Sequence, residues 1–396
     1  MKKYGFIWIC LCFSIVSLSA QTIHTVQPNV ADPLSGTPNA NHYIYINTSV
    51  LPKNKLFLFF PGSGGTPYGY REVLKLAANL GYHSVGLTYP NGVVINSLCA
   101  FSADTTCHSR ARLEIFDGQD RHNGISVDEY NSIERRTLKL LEYLHQTYPT
   151  ENWGQYLSGN DILWNKIIVS GHSQGGGHAG IISKIKEVDR VVMFAALDWI
   201  PLLNRNADWI TWQGATAQHN YYGFIHEQDE LINFNHMLTT WTNYGMNTFG
   251  PRVLSDTATP PYSDSRRLYT LLTPANDPSK FHNCVVVDMH TPMNGSVPEY
   301  LDVWTYLIDS PAQPLGQFEQ FDALACTIYP NPTQGDLFLS GELESLSFTL
   351  FDLGGKTLGS GNWVQPLRLN HLASGLYFLT LTDYWGNSKT VRVVKE

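Results

Sequence analysis

Charge is what this sequence has least of. Asp, Glu, Lys and Arg supply only 15% of its 396 residues, and lysine and arginine nowhere gather into a basic run. That excludes nucleic acid or an acidic membrane surface as the expected partner. Beyond the first twenty residues no segment approaches the roughly eighteen consecutive apolar residues a spanning helix needs, so the mature chain is expected to have no membrane span. Cysteine is scarce, at six residues, and its spacing does not suggest a zinc site, so neither metal nor cofactor is expected. No internal repeat marks a solenoid or a propeller. What the chain does have is apolar surface: 43% hydrophobic and 12% aromatic residues, a globular composition, in a length that suggests two domains.

The first twenty residues, MKKYGFIWICLCFSIVSLSA, run from two lysines through an apolar stretch to small residues. This is the pattern of a signal peptide, with cleavage expected after Ala20. Its removal moves the formal net charge from -8 to -10 and takes Cys10 and Cys12 with it. In an exported chain the spacing of Cys99 and Cys107 predicts a disulfide closing a small loop. Cys284 heads an apolar run and is expected to be buried instead.

Short apolar runs alternate with helical patterns over most of the chain. Leu56 to Phe60, His83 to Tyr89, Lys166 to Ser170, Arg190 to Ala196, Tyr221 to Ile225 and Cys284 to Asp288 read as buried parallel strands. Between them lie helix patterns. Ser126 with Glu129, and Ser296 with Glu299, have capping-box spacing. Behind the first, Tyr130, Ile133, Leu140, Leu141 and Leu144 fall on one face. The fold class expected is α/β, a mainly parallel sheet flanked by helices. Past Pro311 helical patterning stops, and β-rich runs separated by Gly, Asn and Asp predict a small all-β sandwich.

One stretch concentrates glycine around a serine. In KIIVSGHSQGGGHAG a buried strand runs into Gly171, Ser173 and Gly175, and a helix-length segment of small residues follows. A sharp strand-to-helix corner exposes such a serine, and the free N–H groups of the new helix lie where an oxyanion would form.

This block resembles the nucleophile elbow of the α/β-hydrolase superfamily, particularly that of lipases, dienelactone hydrolases and cutinase-like polyester hydrolases. The resemblance implies a serine hydrolase acting on carboxylic esters, with Ser173 as nucleophile. It implies an acid after a later strand, which maps to Asp229, with Asp198 as its competitor and Glu227 and Glu230 as solvated neighbours. It also implies a histidine after the last strand, which maps to His290. His282 is the competitor there, because it precedes the apolar run and so lies at the wrong end of a parallel strand. LFLFFPGSGGTP resembles the oxyanion loop of cutinase-like enzymes, which implies backbone donors at Ser63 and Gln174, with Gly64 a near alternative to Ser63. His172, Tyr89 and Trp199 fall near the expected mouth, where His172, Trp199 and Gly64 are candidate substrate contacts. Residues 90–127 read as an insertion over the site. A peptidase of the same fold and a non-catalytic surface-binding protein are the other readings.

The C-terminal run resembles the sorting domain of the type IX secretion system. The matching features are Tyr329-Pro330-Asn331-Pro332, Gly335, Gly354-Gly355-Lys356, Gly375-Leu376-Tyr377 and the basic C-terminus. The resemblance implies export by that machinery in a Gram-negative bacterium, to the surface or beyond. The expected division is a signal peptide over 1–20, a hydrolase domain over 21–312, a linker over 313–324 and the sorting domain over 325–396.

Overall fold

The computed structural model describes residues 21–310, 326–340, 346–382 and 388–396. The expected signal peptide and linker lie outside the described residues.

A nine-stranded sheet forms the larger unit. Its strands are β1 (Gln21–Val26), β2 (His42–Asn47), β3 (Leu56–Phe60), β4 (His83–Gly86), β5 (Ile167–His172), β6 (Arg190–Phe194), β7 (Tyr221–His226), β8 (Arg252–Leu254) and β9 (Arg267–Thr270). Across the sheet they run β1-β2-β4-β3-β5-β6-β7-β9-β8. From β4 to β8 every neighbouring pair is parallel; only β1 with β2 and β2 with β4 are antiparallel. Every residue of β3, β5, β6 and β7 is buried, as expected of strands covered on both faces.

Helices α1 (Arg71–Asn79), α2 (Cys107–Asp117), α3 (Ile133–Thr147), α4 (Gln174–Ile185), α5 (Phe234–Asn243) and α6 (Leu301–Asp309) accompany the sheet. Neither expected capping box forms. Ser132 Oγ caps α3 by accepting from Arg135 N, and Tyr130, expected in the core, lies outside the helix and 40% exposed. Ile133, Thr137, Leu140, Leu141 and Leu144 do face inward. Ser296 and Glu299 lie around a two-residue ribbon ahead of α6, with Glu299 N–H on the Pro292 carbonyl.

The larger correction concerns Cys284 to Asp288, which is not a strand. Phe281–Cys284 forms one helical turn, and Val286 and Val287 continue it with turn bonds to Asn283. Cys284, Val285 and Val286 are fully buried because this turn packs into the core. A four-residue apolar run reads alike in either structure. The sheet ends instead with β8 and β9.

The C-terminal unit consists of two antiparallel sheets. One holds β10 (Thr327–Tyr329), β11 (Asp336–Ser340) and β14 (Leu367–Arg368). The other holds β12 (Ser347–Phe351), β13 (Thr357–Asn362), β15 (Gly375–Thr382) and β16 (Ser388–Lys395). Leu337, Leu379, Leu381 and Val393 are buried in its own apolar core.

Candidate active site

Ser173 occupies the corner between β5 and α4, at the carboxyl end of a central strand. Its φ of 52° and ψ of -120° lie outside the regions open to most L-residues, a strain of about 1–3 kcal/mol. Glycine at 175 permits the corner: a Cβ there would come within 2.0 Å of the Phe60 carbonyl oxygen. The serine N–H donates to the Phe194 carbonyl at 2.8 Å, its Oγ makes no cap bond, and the residue is half-buried.

Asp229 lies three residues past β7. Its Oδ1 accepts from Leu231 N and Ile232 N, both at 2.9 Å, which fixes the carboxylate. Its Oδ2 lies 2.8 Å from Nδ1 of His282. The two side chains are 0% and 5% exposed. Because the carboxylate accepts, Nδ1 carries the proton and Nε2 of a neutral ring presents a lone pair. That Nε2 is buried and has no partner among the described residues. The His282 ring packs 4.8 Å, centroid to centroid, from that of His172, the residue before the serine. An imidazole so oriented by a carboxylate can take and return a proton.

His290 therefore does not occupy the position expected of it. With no strand ahead of it, its backbone closes a turn, N–H to Val287 and carbonyl from Ala275, and its Nδ1 has no partner. His282, set aside as lying at the wrong end of a strand, instead follows β9, whose carboxyl end is on the correct side. Asp198 is committed elsewhere. Its carboxylate takes Nε and Nη2 of Arg112, each at 2.5 Å, and the indole N–H of Trp209 at 2.8 Å. Burial alone would raise its pKa, but the Arg112 guanidinium holds it at about 2. Glu230 is not merely solvated, since its carboxylate accepts from His282 N at 2.7 Å.

The loop after β3 faces the corner. Gly62 N–H donates to Tyr70 Oη, Gly64 N–H to the Asn91 carbonyl and Gly65 N–H to the Gly62 carbonyl. The Asn91 amide in turn donates to the carbonyls of Gly62 and Gly65. The N–H groups of Ser63 and Gln174 have no partner among the described residues. Gly64 is thus removed as a free donor. Gln174 is held firmly: its Oε1 accepts from Ser63 Oγ and Ile95 N, both at 3.0 Å, and its carbonyl from Arg112 Nη1 at 2.8 Å. Ile95 and Arg112 belong to the expected insertion, and Cys99 and Cys107 form a disulfide within it. Cys99, Cys107 and His122 bring three donor atoms within 4.8 Å, but the two sulfurs are bonded to each other. Cys284 is a buried free thiol, pushed up to about 12 by burial.

The residues expected near the mouth, His172 and Trp199 as substrate contacts and Tyr89 beside them, are placed as follows. His172 is 2% exposed, with both ring nitrogens engaged by Tyr70 and the His282 carbonyl rather than open to a ligand. Tyr89 is buried, with its hydroxyl on the Pro61 carbonyl. Trp199 is half-exposed and stacks on His236 at 3.9 Å. Tyr70, Asn91 and Arg112, which organise the loop and the corner, carried no motif in the sequence.

Similarity to known proteins is uneven along the chain. Among curated protein sequences none shows significant similarity. Of solved structures, a protein described as a dienelactone hydrolase of Klebsiella pneumoniae subsp. pneumoniae aligns at 8% identity and a TM-score of 0.35, over 64% of this chain and 86% of its own. A Thermus thermophilus protein aligns at 12% identity and a TM-score of 0.33, over 63% and 88%. Neither likeness is close, and the α/β architecture of the larger unit rests on its own strand order and helices. Residues 327–396 match the family profile described as the secretion system C-terminal sorting domain.

Proposed function

We propose that this protein is an exported serine hydrolase that cleaves carboxylic esters through Ser173, His282 and Asp229. The observation that carries the reading is the buried Asp229–His282 pair, whose free Nε2 belongs to a ring packed against the elbow. A serine hydroxyl is a poor nucleophile at neutral pH. His282 takes its proton as Oγ attacks the ester carbonyl carbon, and Asp229 stabilises the imidazolium that results. The N–H groups of Ser63 and Gln174 receive the developing oxyanion. The alkoxide leaves with the proton from His282, and water, activated by the same ring, hydrolyses the acyl-enzyme.

Export follows from the sorting domain. In this reading it directs the chain through the type IX machinery to the cell surface or the medium, so the substrate is an extracellular ester, small or polymeric. The test is a panel of p-nitrophenyl esters of rising acyl length, with Ser173→Ala as control. Turnover lost in Ser173→Ala, together with stoichiometric labelling of Ser173 by a fluorophosphonate, supports the proposal. Wild type as inert as Ser173→Ala overturns it in favour of a binding protein; cleavage of peptides but not esters overturns it in favour of a peptidase.

A further inference from the structure

A second imidazole, His172, touches all three segments that the proposed chemistry needs. Its Nε2 lies 3.0 Å from the carbonyl oxygen of His282, and its Nδ1 lies 3.0 Å from Tyr70 Oη. Tyr70 Oη in turn accepts from Gly62 N at 3.1 Å. The proton positions in this chain are forced. A carbonyl oxygen only accepts, so Nε2 carries the ring hydrogen. In the neutral ring Nδ1 then offers a lone pair, Tyr70 donates to it, and the phenol oxygen is left to accept the Gly62 N–H. Every bond from Gly62 to His282 thus has one direction. Protonation of His172 would remove the lone pair that Tyr70 donates to and reverse that bond. Burial first, then the neighbouring His282, depress its pKa to about 3, which keeps the ring neutral.

We propose that His172, acting through Tyr70, is a positioning residue that sets the mutual register of the oxyanion loop, the nucleophile corner and the base. The inference rests on the roles given above to Ser63, Ser173 and His282. Gly62 directly precedes Ser63, His172 directly precedes Ser173, and the accepting carbonyl belongs to His282 itself. The loop and corner are pressed together: a Cβ at Gly62 would lie 3.0 Å from His172 Nδ1 and 3.3 Å from Ser173 Cβ. His172 touches no substrate, and its effect on rate passes through the placement of its neighbours. Displacements of about 1 Å at a reacting centre change rates on the order of a hundredfold.

The test compares Tyr70→Phe, His172→Phe and His172→Gln in the full chain. A glutamine amide offers one donor and one acceptor group, so it can span the same two partners; phenylalanine fills the space with neither. Tyr70→Phe and His172→Phe are expected to lower kcat about 10–100-fold with KM within about twofold, in protein still folded by urea titration. His172→Gln should recover about tenfold of that loss. A readout independent of turnover is the imidazole ¹⁵N spectrum of the wild type, expected to show His172 protonated at Nε2 alone and unchanged down to about pH 5. The proposal is overturned by a folded His172→Phe with wild-type kcat, by glutamine being no better than phenylalanine, or by a proton on Nδ1. If His172→Phe does not fold, Tyr70→Phe, the glutamine variant and the spectrum decide. An ester panel on which wild type is inert defeats the hydrolase reading, while the tautomer result stands or falls separately.

Discussion

Exchanging one histidine for alanine at two positions separates the base from its neighbour. A positioned general base contributes about 10²–10⁴-fold in rate, or about 3–5 kcal/mol of barrier. His282→Ala should lose that much in kcat/KM. Its structural cost is smaller. Asp229 loses the bond to Nδ1 but keeps those from Leu231 N and Ile232 N, so one carboxylate oxygen is left unpaired, at about 1–3 kcal/mol. Such a protein stays folded if its stability lies in the usual range of about 5–15 kcal/mol. His290→Ala removes a half-buried ring whose Nδ1 has no partner, while the turn bonds to Val287 and Ala275 are backbone and persist. It should cost less than about 1 kcal/mol and leave activity within about twofold. The assay is p-nitrophenyl butyrate hydrolysis at about pH 8 beside urea denaturation of the same samples. If His290→Ala loses more than about tenfold while His282→Ala stays near wild type, the assignment of the base is refuted.

Arg112→Met leaves Asp198 buried without its cation and should destabilise by about 3–5 kcal/mol, whereas Arg112→Met with Asp198→Leu should be milder; equal losses in urea would count against the pair's energetics. Gly175→Ala drives a Cβ into the Phe60 carbonyl and should yield insoluble protein; a soluble, active variant contradicts the corner geometry. Burial depresses both His42 and His172 from 6.5 to about 3. Between those values the unfolded chain binds protons the folded one does not, so the stability these rings contribute above pH 6.5 is lost as pH falls. Together they steepen the loss by about 3 kcal/mol per pH unit, and a urea midpoint that stays flat from pH 6 to about 4.5 would exclude it. Reducing the Cys99–Cys107 bond, which closes a short loop, should cost about 2–3 kcal/mol by thermal melting; no shift with reductant would argue against a bond in solution.

Where local pattern and tertiary role coincided, the sequence could be read. Buried parallel strands announce themselves as unbroken apolar runs, and β3, β5, β6 and β7 appear where LFLFF, KIIVS, RVVMF and YYGFI stand. The serine corner was legible because glycine is costly enough elsewhere to signal a steric demand. The base was not. CVVV is apolar because its turn is buried, and that mimicked a strand and placed the sheet's end some twenty residues too late. The first capping box misled because Ser132, closer to the helix, takes the cap of α3, and the second because Ser296 and Glu299 flank a ribbon ahead of α6. His172 was legible as a residue near the serine but not as a buried one, for its partners, Tyr70 and the His282 carbonyl, lie 102 and 110 residues away.

Those two long-range bonds bear on when the molecule becomes competent. Gly62, His172 and His282 meet only after β3, β5 and β9 have taken their places in one sheet, and contacts so distant along the chain form late. On the proposed assignment, a half-assembled sheet holds Ser173 without His282 beside it. On the proposed reading, hydrolytic competence arrives only with the completed sheet.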